Sequence, residues 1–165
     1  MSGTARLGLP FLSAGQAQKE VTHNEALQSL DALVAGAVEE PPRADPPATP
    51  AVGACYIVGS APTGEWAGKP QYLAGFTSAG WRLLPPVEGM TLFVRSEALS
   101  AVYRAGAWEL GQVRASSVVI GGEQVVGSRA AAIASASGGA TVDSEARAVL
   151  DQILGALRQH GLIDP

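Results

Sequence analysis

The period of the apolar positions changes four times along the chain, and each change coincides with an accumulation of glycine or proline. Residues 1–14 form a short arm in which Leu7, Leu9, Phe11 and Leu12 surround Pro10, and proline forbids a helix centred there. From about Gly15 to Val38, Ala17, Val21, Leu27, Leu30, Leu33, Val34 and Ala37 recur at helical spacing among strong helix formers. One helix of about 20 residues is predicted, so residues 1–38 read as an arm plus a helix. Residues 39–50 hold five of the eleven prolines and mixed charge, the pattern of an extended spacer with no packing of its own.

Residues 51–112 carry short β-branched or aromatic runs broken by glycine (CYIVG, QYLAGF, WRLL, MTLFVR, AVYR, AWEL), which predicts a small antiparallel β module. Within it an aromatic strand residue is followed three times by a glycine turn and a tryptophan: Tyr56 to Trp66, Tyr72 to Trp81 and Tyr103 to Trp108. Residues 113–140 are a Val/Gly/Ala-rich connector almost free of large side chains, with Gly121 and Gly122 placed as a hairpin turn. Residues 141–165 read as a helix capped by Thr141 or Asp143 and ended by a left-handed Gly161.

That last helix is amphipathic. Ala146, Val149, Leu150, Ile153, Leu154 and Leu157 form its apolar stripe, and 146, 150, 153, 157 alternates four and three as a coiled-coil seam does. A lone helix of this length is marginal in water, and the preceding segment offers alanine and glycine to cover it. The stripe packs either on the chain's own β module or on copies of itself, and the small residues before it favour copies. The expected fold class is mixed α+β: an N-terminal helix, a small antiparallel β module and a C-terminal amphipathic helix. They would assemble as a symmetric homo-oligomer, with a trimer favoured.

Charge and composition narrow the partners. Fifteen acidic against eleven basic side chains, the latter scattered, argue against a groove that tracks phosphates, so no nucleic acid is expected. Cys55 is the sole cysteine, and His23 and His160 are the only histidines, so no zinc site of the usual donor sets can be built within one chain, and no cofactor is implied. The start lacks a signal-peptide pattern, and no run approaches the roughly 20 apolar residues that span a bilayer. Synthesis in the cytoplasm without membrane insertion is the expectation.

Chemistry-bearing motifs are sparse. His23 and Glu25 stand two apart on a helix and so point to different faces, with no nucleophile beside them; Asn24, near the apolar stripe, is suited to a specific buried hydrogen bond at an interface. No phosphate-cradling loop, nucleophile elbow or metalloprotease motif is present, and Glu65, Glu88, Glu97 and Glu109 are nearly the only acids of the β module. A polysaccharide-cleaving enzyme therefore lacks support. The aromatics carry two readings. Trp66, Trp81, Trp108, Tyr72 and Tyr103 fill the core of the β module, or some of them lie exposed as a platform for a sugar face. Trp66, in the polar TGEWAGK, is the leading candidate for exposure.

Three stretches, GLPFLSAGQAQKEVTHNEALQSLDALV, PPATPAVGACYIVGSAPTGEWAG and GWRLLPPVEGMTLFV, resemble a family of uncharacterised proteins encoded by alphaproteobacterial prophages and gene-transfer-agent clusters. The ending VVGSRAAAIASASGGATVDSEARAVLDQILGALRQHGLI is similar to a carboxy-terminal signature of phage fibre and spike proteins. The resemblance implies a structural virion protein: a head spike or fibre, or its base, contributing to attachment to host capsular polysaccharide. A tail fibre or adaptor subunit and a free-standing carbohydrate-binding module are the alternatives. On this reading Leu9, Phe11, Val21, Asn24 and Leu27 dock the chain to another virion protein, either capsid or fibre.

Overall fold

The computed structural model describes residues 3–12, 19–34 and 36–164, so the expected helix start near Gly15 and Ala17 falls outside the described residues. The chain divides into two compact units, Met1–Gln112 and Val113–Pro165.

In the first unit, helix α1 covers Lys19–Val34 and stops short of the expected Val38. A Cβ on Gly36 would stand 3.1 Å from both Leu92 Cδ2 and the Thr91 carbonyl oxygen, so a side chain here would make the neighbours give way by a few tenths of an ångström. The next two residues leave the helix as β1 (Ala37–Val38), which pairs in parallel with β5 (Thr91–Val94). Val38, β-branched and fully buried, is better served by a strand than by a last helical turn. The buried face of α1 also differs from the leucine stripe. Val21, Leu30, Leu33 and Val34 are exposed, Val34 to 70%, while Asp31 and Ala32 are buried. Alanine lets the helix approach the sheet closely, which the leucines could not.

Two sheets carry the β module. Strands β2 (Cys55–Ile57), β3 (Leu73–Thr77) and β4 (Gly80–Leu84) form an antiparallel sheet in that order. Strand β5 continues antiparallel into β6 (Leu99–Arg104) and β7 (Ala107–Leu110), with β1 on the other side of β5. Alternation along the three-stranded sheet gives it two apolar faces. Cys55, Ile57 and Leu73 join Ala32, Val38, Leu92, Val94, Ala101 and Trp108 in the main core. Val58 and Ala74 join Trp66 in a second layer, flanked by Tyr56, Tyr72, Trp81 and Leu83.

The proline-rich residues 39–50 are not a free spacer. Glu39 and Arg43 donate their backbone N–H to the carbonyls of Cys55 and Ile57 at 3.0 and 3.1 Å, and Arg43 forms a parallel bridge with Val58. Ala44 accepts from the Thr63 N–H, and Asp45 accepts from the Thr63 hydroxyl at 2.5 Å. Prolines lack only their own N–H, so a segment whose remaining donors line up can still edge a sheet. Arm, helix, proline-rich segment and β module are one unit.

The β6–β7 hairpin turns on Ala105 and Gly106, both at positive φ (47° and 86°), between the paired Arg104 and Ala107. This tight turn favours asparagine over alanine at its first position. Ala105→Asn is expected to stabilise the unit by about 0.5–1 kcal/mol, read as a rise of a few degrees in Tm.

In the second unit, β8 (Val118–Ile120) and β9 (Glu123–Val126) form a hairpin across Gly121 and Gly122, and every residue of both strands is exposed. Helix α2 covers Ser144–Gln159, with the Asp143 carboxylate accepting from the Ala146 N–H at 2.8 Å as N-cap. Gly161 ends it at φ 68°, and the following Leu162 N–H reaches back to the Leu157 carbonyl. Three arginines tie the extended segment to the helix and its end. Arg129 donates to the Gly161 carbonyl, Arg147 to that of Gly138 and Arg158 to that of Ile133. Among the described residues of this unit only Leu154 and Ile163 are buried hydrophobics. No helix of the described residues is long and apolar enough to cross a membrane.

Candidate functional site

The second unit presents an apolar surface that its described residues leave uncovered. Of the six stripe residues, Leu154 is buried and Leu157 half-buried, whereas Ala146, Val149, Leu150 and Ile153 are exposed. Val142, Ile133 and Leu162 are exposed as well, as are Val118, Val119, Ile120, Val125 and Val126 of the hairpin. The arginine bonds described above hold the unit by polar contacts to main-chain oxygens, and four arginines against five carboxylates leave it nearly neutral. An exposed surface so apolar and so weakly charged has the character of an interaction surface.

The aromatic candidates fall into two groups. Trp66, in the 3₁₀ turn Gly64–Trp66, is 0% exposed and lies against Tyr56 and Trp81 at ring-centroid distances of 6.0 and 5.0 Å. Trp81 meets Trp66 at 80° and Phe76 at 60°, edge-on rather than as one flat plane. Tyr72 is half-buried, with the Lys69 ammonium 5.3 Å from its ring centroid. Burial pushes the Tyr56 phenol up, and Glu39 and Glu40 add to it. The second group is Tyr103 and Trp108, 5.3 Å apart; Trp108 is 9% exposed and donates its indole N–H to the Gln71 carbonyl at 2.8 Å. Trp66 and Trp108 are therefore core and cannot offer a ring face to a sugar. The polar sequence around Trp66 marks the turn that carries it, while the ring itself folds inward. Trp81, Tyr72 and Tyr103 remain half-buried.

The arm is fastened to α1 by a residue that periodicity did not single out. Asp31 is 5% exposed and accepts from the Thr4 hydroxyl at 2.6 Å and from the N–H groups of Arg6 and Leu7 at 3.0 and 2.7 Å. An acid inside the apolar run LDALV was the available signal. Asn24 makes hydrogen bonds, but exposed ones within the chain rather than a buried one at an interface: its side chain accepts from the Leu12 N–H and donates to the Leu12 carbonyl in the arm. Of the other docking candidates, Leu9, Phe11 and Leu27 are half-buried and Val21 is exposed. Asp31→Asn keeps two acceptor contacts but turns an amide N–H toward that of Arg6. It is expected to cost about 2 kcal/mol in urea unfolding and to speed amide exchange at Arg6 and Leu7.

Residues 23–109 match a family model described as a protein of unknown function (DUF2793). The chain belongs to this family. The match runs from within α1 to within β7, so the DUF2793 region lies in the first unit and takes in the proline-rich segment as well as both sheets. The comparison with curated proteins gives no match.

Proposed function

We propose that this DUF2793 protein is a structural component of a phage-like particle, a head spike or fibre or its base, built as a homo-oligomer with a trimer favoured. The observation that carries the reading is the uncovered apolar surface of the second unit, with Val149, Leu150 and Ile153 on one side of α2 and an exposed hairpin nearby in sequence. Copies packed around a symmetry axis would bury that surface. The outward side of α1, with Leu30, Leu33 and Val34 exposed, supports docking of the first unit on a neighbouring virion protein. The chain thus works by assembly rather than catalysis, and many copies on one particle give avidity for host polysaccharide. Any sugar contact by the first unit rests on Trp81, Tyr72 and Tyr103.

Deleting the gene in a particle-producing strain and imaging the particles tests the placement. Loss of projections from otherwise intact particles, with reduced adsorption to capsulated cells, is the expected result. Particles that keep every projection and adsorb normally would overturn the reading.

A further inference from the structure

A cavity of about 260 Å³ opens in the first unit between the arm, α1 and the three-stranded sheet. Its walls are largely apolar, with Phe11, Val52, Phe76 and Leu84 among them, and two arginines, Arg6 and Arg82, take part in its lining. The polar groups divide into those already satisfied and one that is not. Asp31 has three donors on its two oxygens, and Arg6 donates to the Cys55 sulfur at 3.2 Å and to the Ala37 carbonyl at 3.0 Å. Burial pushes the Cys55 thiol up against the opposing pull of Arg6, so both acceptors of Arg6 are neutral.

Arg82 is different. Its Nε is buried and has no hydrogen-bond partner among the described residues, and its Nη2 reaches Glu25 only at 3.4 Å. The Nε is sealed from any ligand, but the Nη end, held only by this long pairing, can take the two oxygens of a carboxylate. Opposite Arg82 in the β3–β4 register stands Gly75. A Cβ there would be 3.6 Å from Cys55 Sγ and 3.7 Å from Ala32 Cβ, an ordinary fit, so glycine is required neither by a clash nor by its backbone conformation. Gly75, Cys55 and Ala32 all line the cavity, and the missing methyl leaves its floor open.

We propose that this cavity binds a small carboxylic acid with an apolar body, its carboxylate held by Arg82 and its hydrocarbon part lying against Phe76 and Leu84. The volume suits roughly ten non-hydrogen atoms. Arg6 and Arg82 against Asp31 leave the lining one positive charge in excess, which matches a monoanion rather than a phosphate dianion.

The test titrates hexanoate, with hexanamide as the neutral control, into the isotope-labelled full chain and follows backbone amide shifts. Hexanoate is expected to move the amides of Arg6, Gly75 and Arg82 with a Kd on the order of 0.1–1 mM, and hexanamide to bind at least about tenfold more weakly. Arg82→Gln should weaken hexanoate by about tenfold. Glu25→Gln, at a side chain that is itself exposed, removes the competing carboxylate without touching the core and should tighten binding about threefold. Gly75→Ala should weaken hexanoate more than butyrate. Absence of shifts at these amides up to about 10 mM, equal binding of hexanamide, or a Glu25→Gln variant that binds no better would each overturn the proposal.

Discussion

Ile153→Asp should convert the protein from a defined oligomer to a monomer in sedimentation velocity at tens of micromolar, while the melting of the DUF2793 unit stays unchanged. Ile153 is 51% exposed on α2, so the substitution removes only part of a side chain's packing within the chain. Helix formation stays supported by the Asp143 cap and the Gly161 terminus. Burying the exposed half of this side chain against a neighbour contributes about 1 kcal/mol per copy. Aspartate removes that contribution and brings like charges together near an axis, which adds to the loss with every copy. A shift of about 2–3 kcal/mol per copy weakens each association step about a hundredfold. Ala148→Asp places the same charge on the opposite side of the helix and should leave the sedimentation profile as it was. A wild-type chain that already sediments as a monomer would remove the basis for a self-assembling stalk.

What the sequence made legible follows from which signals are local. The strands around Cys55, Leu73, Trp81, Leu92, Val102 and Trp108 announce themselves because β-branched and aromatic runs between glycines have few other uses. The hairpin at Gly121 and Gly122 and the ends of α2 are legible because left-handed turns and caps need particular residues. The face that α1 buries was not legible. Periodicity locates apolar residues but does not say which side a sheet will occupy, and here close approach at Ala32 and the hydrogen bonds of Asp31 outweighed the leucines. The proline-rich segment misled for a related reason. Counting prolines measures donors lost, whereas Glu39 and Arg43 kept theirs and β2 supplied acceptors. Arg82 and Gly75 face one another across two strands, a pairing set by register that no local pattern announces.

Trp66→Ala is expected to destabilise the DUF2793 unit by about 4 kcal/mol, the range measured for large aromatic truncations in cores. A domain of this size holds roughly 5–15 kcal/mol, so the variant should melt some 15–20 °C lower and unfold at much lower urea. The cause is geometric. The ring is wholly buried under the three-stranded sheet, and its removal leaves Tyr56, Trp81, Val58 and Ala74 facing a void that the short 3₁₀ turn cannot collapse to fill. Trp66→Phe separates volume from polarity. The indole N–H has no partner among the described residues, so phenylalanine loses packing but no hydrogen bond and should cost about 1–2 kcal/mol. Trp81→Ala, at a half-buried ring, should cost less than Trp66→Ala while changing the part of the layer that faces solvent. The contrast also decides what the aromatics do. A Trp66→Ala variant that melts like the wild type would contradict the buried placement of the ring; a large loss of stability fixes it as the post around which the second layer is packed.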